Sequence, residues 1–388
     1  MDGSGGRRKP DVLLDVVQRE VKRELERLAR EAESEEAFDR ASDALLARLP
    51  DLVTDSLWAV ERGGADAIDA EMPAHVRARR ASMRGFERRL ARDWGAGFDR
   101  LEVLVGVFTD MGREYRDRRL APEGHPATAS ALAFALVQLH ARAARVAYEV
   151  LALVRAGFAD GAMARARTAG EIAVVAAFLA EHGDAAAELY LRHDTIRACK
   201  AAELFDKHAA DLRWDPVDPG ELQQLRAGRD RLIEQYGAVF GTDYGWASVT
   251  LGTKGAVGFT HLLGPVSQDK WRPLYRWLSE GVHAGPGGLR PMGADGHGRE
   301  YLLVGPSNAG LLDPAQLTAL ALGLLAATLA RGESRADVTA MLGTFRILLG
   351  RCIDAFVQAH DRVERKTVAA RTGHPRPRPR RDTGANPG

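Results

Sequence analysis

Apolar residues recur every three or four positions along most of the chain, and this helical period is the feature that most constrains the fold. Residues 11–33 show it well, since Val17, Val21, Leu25 and Leu28 fall near one stripe while charged residues occupy the other faces. A helix of this kind must pack its apolar side against a neighbour. The sequence therefore predicts an all-α protein, with at most a small β-hairpin near residues 289–304.

Further helices are predicted wherever the same period lies between turn residues. The segments ERGGAD, EMP and WGAG are expected to separate helices in the first third of the chain. The predicted helices lie at about 35–61, 74–94, 96–119, 127–156, 160–182, 184–210, 221–237, 314–331 and 335–368. The glycine-rich residues 240–258 are predicted to form an irregular loop, and its length suggests a function.

The predicted helices group into two domains. Residues 1–120 form an N-terminal helical bundle, and residues 121–368 form a larger domain of long antiparallel helices, because Pro and Gly interrupt the pattern in APEGHPATAS at 121–130. Residues 369–388 are rich in Pro and Arg and have little apolar surface to bury. We predict that this tail is disordered and makes at most weak electrostatic contacts with a partner.

Charge, hydropathy and cysteine usage exclude several classes of protein. The 54 basic and 53 acidic side chains nearly cancel, so any site for nucleic acid must be local. The apolar run at 317–330 is shorter than the roughly 20 residues that cross a bilayer, which predicts a buried helix and no membrane contact. No secretion signal is evident, and Cys199 and Cys352 are expected to be buried thiols in a reducing cytoplasm.

Common catalytic motifs are missing from the sequence. It has no P-loop, no dinucleotide-binding glycine motif, no zinc-peptidase motif and no serine-hydrolase motif. We therefore predict no cofactor and no metal.

One helical segment, YRWLSEGVHAGPGG at 275–288, combines charge with a local break. Arg276 and His283 are seven residues apart, which is close to two helical turns, so both side chains are predicted to share a face. A histidine there could assist attack by an RNA 2′-hydroxyl, and an arginine could neutralise the phosphate. The alternative is structural, because a histidine at a helix C-terminus also interacts favourably with the helix dipole.

Three segments resemble the bacterial family known as domain of unknown function 5677, over about residues 130–290. They are RARTAGEIAVVAAFL, LYLRHDTIRACKAAEL and LYRWLSEGVHAGPGGL, the last of which contains Arg276 and His283. The residues that carry the resemblance are Arg167, Glu171, Leu278, Ser279, Val282, His283 and Pro286. The resemblance implies no established activity.

The same region is similar, more loosely, to the HEPN superfamily of helical bundles. Arg276 and His283 match the ends of its motif, although Trp277 stands where a polar residue is usual. The resemblance implies a homo-oligomer and a metal-independent endoribonuclease, acting as a toxin or antiviral effector. Many HEPN domains are instead noncatalytic modules that bind a protein or RNA, and that alternative remains open.

Arg167 and Glu171 are the other two candidate site residues. They lie four apart on a helix whose same face carries apolar residues, so they could form a structural ion pair. If His283 is catalytic, Glu171 could orient its ring and Arg167 could contact the phosphate. The nearby polar residues are interpreted as a helix surface, or as a basic wall if a groove lies there; they are Tyr190, Arg192, His193 and Lys200.

Overall fold

The structure is a computed structural model that describes residues 12–120, 130–263, 293–294, 300–301 and 304–371. Helices dominate these ranges. They are α1 (Val12–Glu31), α2 (Glu35–Ala47), α3 (Leu49–Arg119), α4 (Ala131–Arg155), α5 (Ala159–Arg192), α6 (Asp194–Leu212), α7 (Pro219–Tyr236), α8 (Gly245–Thr250), α9 (Phe259–Leu262), α10 (Leu312–Leu329) and α11 (Ala336–Arg371). A 3₁₀ turn spans Ala238–Gly241.

The predicted all-α class is confirmed. Within the described ranges the strand pairing consists of β1 (Gly293–Ala294) and β2 (Glu300–Tyr301), which are antiparallel. This pairing falls inside the segment where a small hairpin was predicted. The predicted tail is partly helical, because α11 continues to Arg371, and residues 372–388 lie outside the described ranges.

The breaks predicted within residues 49–119 were wrong. The ERGGAD, EMP and WGAG segments all lie inside one 71-residue helix, α3, which also contains Pro73. In the second half of α3 the reason is tertiary packing, since Trp94, Phe98 and Phe108 are buried there. Burial of large apolar side chains outweighs the roughly 1 kcal/mol by which a glycine weakens a helix.

The chain divides into two compact units within α3. They comprise Met1–Phe86 and Glu87–Gly388, whereas the sequence pattern predicted a boundary near residue 120. The physical reason is that the end of α3 belongs to the core of the second unit, where Phe98 packs on Phe356 and Phe108 on Phe345. In the first unit, α1 contacts α2.

The core of the second unit is built around α5 and α10. Helix α5 packs on α4 and α10, and α10 also contacts α4 and α11. Helix α10 is long and apolar enough to cross a membrane, but 61% of it is buried inside the protein. This burial confirms the prediction of a core helix, and the two cysteines, Cys199 and Cys352, are buried as predicted.

Helix α5 bends where the sequence predicted a turn. Gly183 has φ +78° and ψ −163°, a non-helical backbone conformation that favours glycine, so α5 consists of two helical parts joined at a kink. Asp184 stabilises the bend, because its Oδ1 accepts a hydrogen bond of 2.8 Å from the Leu132 amide at the start of α4. The predicted single helix at 184–210 was wrong, since it is divided at His193 into the end of α5 and α6.

Residues 240–258 are more ordered than predicted. They contain α8, in which Trp246, Ala247 and Ser248 are buried. Trp246 packs edge-on against Phe178 of α5, with ring centroids 5.4 Å apart. This tertiary contact stabilises a short helix whose glycine-rich sequence alone indicated a loop.

Candidate functional site

Arg167 and Glu171 form the ion pair that their spacing predicts. The Arg167 Nε donates to Glu171 Oε1 at 2.9 Å, and the two side chains are 17% and 34% exposed. Both residues lie on α5, whose following turns are buried in the core. The pair therefore lies at the edge of the core, with the Glu171 carboxylate facing an open groove.

The other two candidate residues lie outside the described ranges. Arg276 and His283 fall within residues 264–292, so their shared helix face and their approach to Glu171 stay predictions. The described residues nevertheless define the groove into which Glu171 faces.

This groove, called here the α4–α6 groove, is lined by residues of α4, α5, α6, α8 and α9 and by Asp243. Its volume is about 1020 Å³. A second hollow of about 400 Å³ continues it along α4, since both are lined by Gln138, Arg142 and Tyr190. The combined space is large enough for more than one nucleotide-sized group.

Helix α4 presents a polar and aromatic stripe to the groove. Phe134, Gln138, Arg142 and Arg145 follow one another at intervals of four, four and three residues, and all four are exposed. Such spacing places side chains above one another on a single helix face. The stripe therefore combines a solvent-facing aromatic ring with two guanidinium groups.

Tyr190 joins this stripe to the buried aromatic residues. Its ring packs edge-on against Trp246, with centroids 5.1 Å apart. Burial raises the pKa of the Tyr190 hydroxyl, and the charges of Arg142 and Arg197 partly oppose that rise. The hydroxyl is thus neutral at neutral pH and lies within the field of two arginines.

His193 has a structural role in the groove wall. It is buried, and its Nε2 donates a hydrogen bond of 2.8 Å to the Thr242 carbonyl, which can only accept. Burial is the main cause that lowers the pKa of the His193 ring. The imidazole is therefore neutral at neutral pH and ties α6 to the segment that follows the 3₁₀ turn.

The groove has more positive than negative charge free to act on a ligand. Its carboxylates are Glu171, Asp194 and Asp243, of which Glu171 pairs with Arg167 and Asp243 with Lys200 at 2.9 Å. Lys200 also lowers the pKa of Asp243. Among the residues that the structure describes, no carboxylate lies within ion-pair distance of the remaining guanidinium groups, those of Arg142, Arg145 and Arg197.

Sequence reasoning located part of this site and missed the rest. Tyr190, His193 and Lys200 were placed on a possible basic wall, and they line the groove, whereas Arg192 does not. The arginines of α4 and Arg197 were missed. Their spacing carried no distinctive signal, because Arg142 follows Phe134 by eight residues as on any helix surface, and Arg197 lies on α6 whereas Tyr190 lies on α5.

The fold and groove define the class of the second unit as an all-α domain with an arginine-rich, partly aromatic groove. Within this unit, residues 133–299 match the family of unknown function DUF5677. The match covers less than half of the chain, but it runs from Ala133 near the start of α4 through α9 and hence includes the α4–α6 groove. It confirms the resemblance to that family over this segment. No curated protein and no solved structure matched the chain.

Proposed function

We propose that the second unit binds single-stranded RNA in the α4–α6 groove and cleaves it as a HEPN-like, metal-independent endoribonuclease. The observation that carries the proposal is the set of guanidinium groups that have no carboxylate partner within the described ranges, Arg142, Arg145 and Arg197, beside the rings of Phe134 and Tyr190. By analogy with active HEPN proteins, the cellular role is that of a cytoplasmic toxin or antiviral effector.

RNA is the proposed ligand because the groove can bind both the phosphate and the base of a nucleotide. Proteins bind single strands through arginines along the backbone and aromatic rings on which bases stack. Phe134 is exposed and stands eight residues before Arg142 on the same face of α4, about 12 Å along the helix axis. This separation is about that of three to four stacked nucleotides at roughly 3.4 Å each, so one strand can contact both side chains.

The cleavage step is assigned to Arg276 and His283. No described histidine of the groove is free to accept the proton, because the His193 Nε2 is bonded to a carbonyl, and of the groove carboxylates only Asp194 is without an ion-pair partner among the described residues. In the proposal, His283 accepts the proton of the RNA 2′-hydroxyl as that oxygen attacks phosphorus. Arg276 stabilises the developing negative charge, and the products are a 2′,3′-cyclic phosphate and a 5′-hydroxyl end.

A cleavage assay tests this assignment. Wild type should cut a single-stranded RNA in the presence of EDTA and leave a 2′,3′-cyclic phosphate. The variants His283→Ala and Arg276→Ala should each lose at least about 100-fold in rate and keep the wild-type melting temperature. His208→Ala, at an exposed histidine on α6, is the matched control and should cut normally.

The second candidate is a noncatalytic RNA-binding module. Two contacts favour this candidate: Glu171 is paired with Arg167, and His193 is hydrogen-bonded to the Thr242 carbonyl. Both contacts stabilise the groove wall. On this reading wild type binds RNA with the same groove but leaves it intact in the assay above. Cleavage that persists undiminished in His283→Ala would contradict the assignment of that residue.

A further inference from the structure

The middle of α3 is exposed on every side. Each residue from 61 to 82 is exposed to solvent, although the helix continues through it. This stretch contains Gly63, Gly64 and Pro73, which weaken a helix by about 1 kcal/mol per glycine and about 3 kcal/mol for proline relative to alanine. Isolated helices are only marginally stable in water even when they are rich in alanine. The described part of the chain does not cover this stretch, and a partner that covered it would stabilise the helix.

The exposed stretch carries an apolar stripe. Ile68, Met72 and Val76, with Leu57 just before the stretch, fall within an arc of about 100° around the helix axis, and Glu61 and Arg79 lie in the same arc. Ile68 is 69% exposed and Met72 is 50% exposed. An apolar stripe of this width is what a helix presents to another helix.

Charge is distributed unevenly along the same stretch. Four acidic residues and one arginine lie within residues 61–71, whereas residues 77–84 contain arginines and no acidic residue. The acidic residues are Glu61, Asp66, Asp69 and Glu71, and the arginines of the basic part are Arg77, Arg79, Arg80 and Arg84. In the described ranges none of these four arginines has an ion-pair partner.

We infer that residues 57–84 pair with the same segment of a second copy of this chain, antiparallel and centred near residue 74. Met72 of each copy then packs against Val76 of the other, and Asp69 of each copy faces Arg79 and Arg80 of the other. A parallel pair would align the basic parts and set arginine beside arginine, which is repulsive. The inference concerns the first unit and is independent of the proposed ribonuclease.

Charge reversal in the full chain tests the pairing. We compare wild type with an acidic variant, Arg79→Glu/Arg80→Glu, and a basic variant, Asp66→Lys/Asp69→Lys, by light scattering during gel filtration. Each variant alone should have half the mass of the wild-type assembly, because its helices now repel. An equimolar mixture of the two variants should regain the wild-type mass, since each acidic part again meets a basic part.

A disulfide cross-link tests the orientation. A mixture of Met72→Cys and Val76→Cys chains should form mixed disulfides faster than either variant alone, and the native cysteines are buried and do not compete. A wild-type chain that is monomeric, or variants that keep the wild-type mass, would overturn the inference. Loss of RNA binding in the acidic variant without a change of mass would also overturn it and would identify nucleic acid as the occupant.

Discussion

Replacing Gly112 with alanine tests how closely α3 and α4 pack in the core of the second unit. An added Cβ would lie 1.9 Å from Cε1 and 2.1 Å from Nδ1 of His140, a buried residue of α4. Carbon atoms in contact are about 3.5–4.0 Å apart, so the imidazole must move by more than 1 Å. That ring stacks on Phe108 with centroids 4.2 Å apart, and its Nε2 donates a hydrogen bond of 2.8 Å to the Phe108 carbonyl.

The expected loss of stability follows from these contacts. Overpacking costs about 1–3 kcal/mol, and leaving the buried imidazole without its hydrogen bond costs about 1–3 kcal/mol more. The higher helix propensity of alanine offsets about 1 kcal/mol of this loss of stability. Gly112→Ala should therefore lower the free energy of unfolding by about 1–5 kcal/mol in a urea titration followed by circular dichroism.

Gly106→Ala is the matched control on the same helix. A Cβ at Gly106 meets no atom of the described residues within 4 Å, so this change should stabilise the protein by about 0.5–1 kcal/mol. In a His140→Ala background the space is open, and Gly112→Ala should then cost little. Equal effects of the two glycine substitutions in the wild-type background would refute the close approach of α3 and α4.

Three further predictions concern buried groups. Burial lowers the pKa of His140 and of His193, so the unfolded chain binds more protons as pH falls below about 6.5. The free energy of unfolding should fall in that direction, and His193→Gln should flatten the pH profile. Burial raises the pKa of Cys352 to about 12 and Cys199 is also buried; iodoacetamide should modify neither thiol until urea unfolds the protein. Trp246→Ala should lower the free energy of unfolding by about 3–5 kcal/mol in a urea titration, and an unchanged midpoint would contradict the packing described for α8.

The helical period predicted the fold class because the core helices bury one face each. Helix α7 was predicted at 221–237 and is found at Pro219–Tyr236. Its sequence has the helical period of apolar residues, and its N-cap residue, Asp218, accepts a hydrogen bond from the Glu221 amide. The helical period did not predict the continuity of α3 at WGAG, where Gly95 and Gly97 indicated a break although Trp94 and Phe98 beside them are buried. A local propensity of a few kcal/mol cannot reveal what a long helix packs against elsewhere.

The candidate site was predictable only where its residues share one helix. Arg167 and Glu171 could be paired from their spacing alone. Arg142 and Arg197 lie on α4 and α6, and each looks like an ordinary surface residue in the sequence. Only the packing of α4, α5 and α6 brings both arginines near Tyr190, and no local pattern encodes that approach.

The affinity of the second unit's groove for single-stranded RNA tests the account most directly. Fluorescence anisotropy with the full chain should show that Arg142→Gln/Arg197→Gln binds RNA at least about tenfold more weakly than wild type. The slope of log affinity against log salt should also fall by about 1–2, since two phosphate contacts are lost. Arg346→Gln, at an exposed arginine on α11, should bind as wild type does. Wild-type affinity and salt slope in the double variant would contradict RNA binding in the α4–α6 groove.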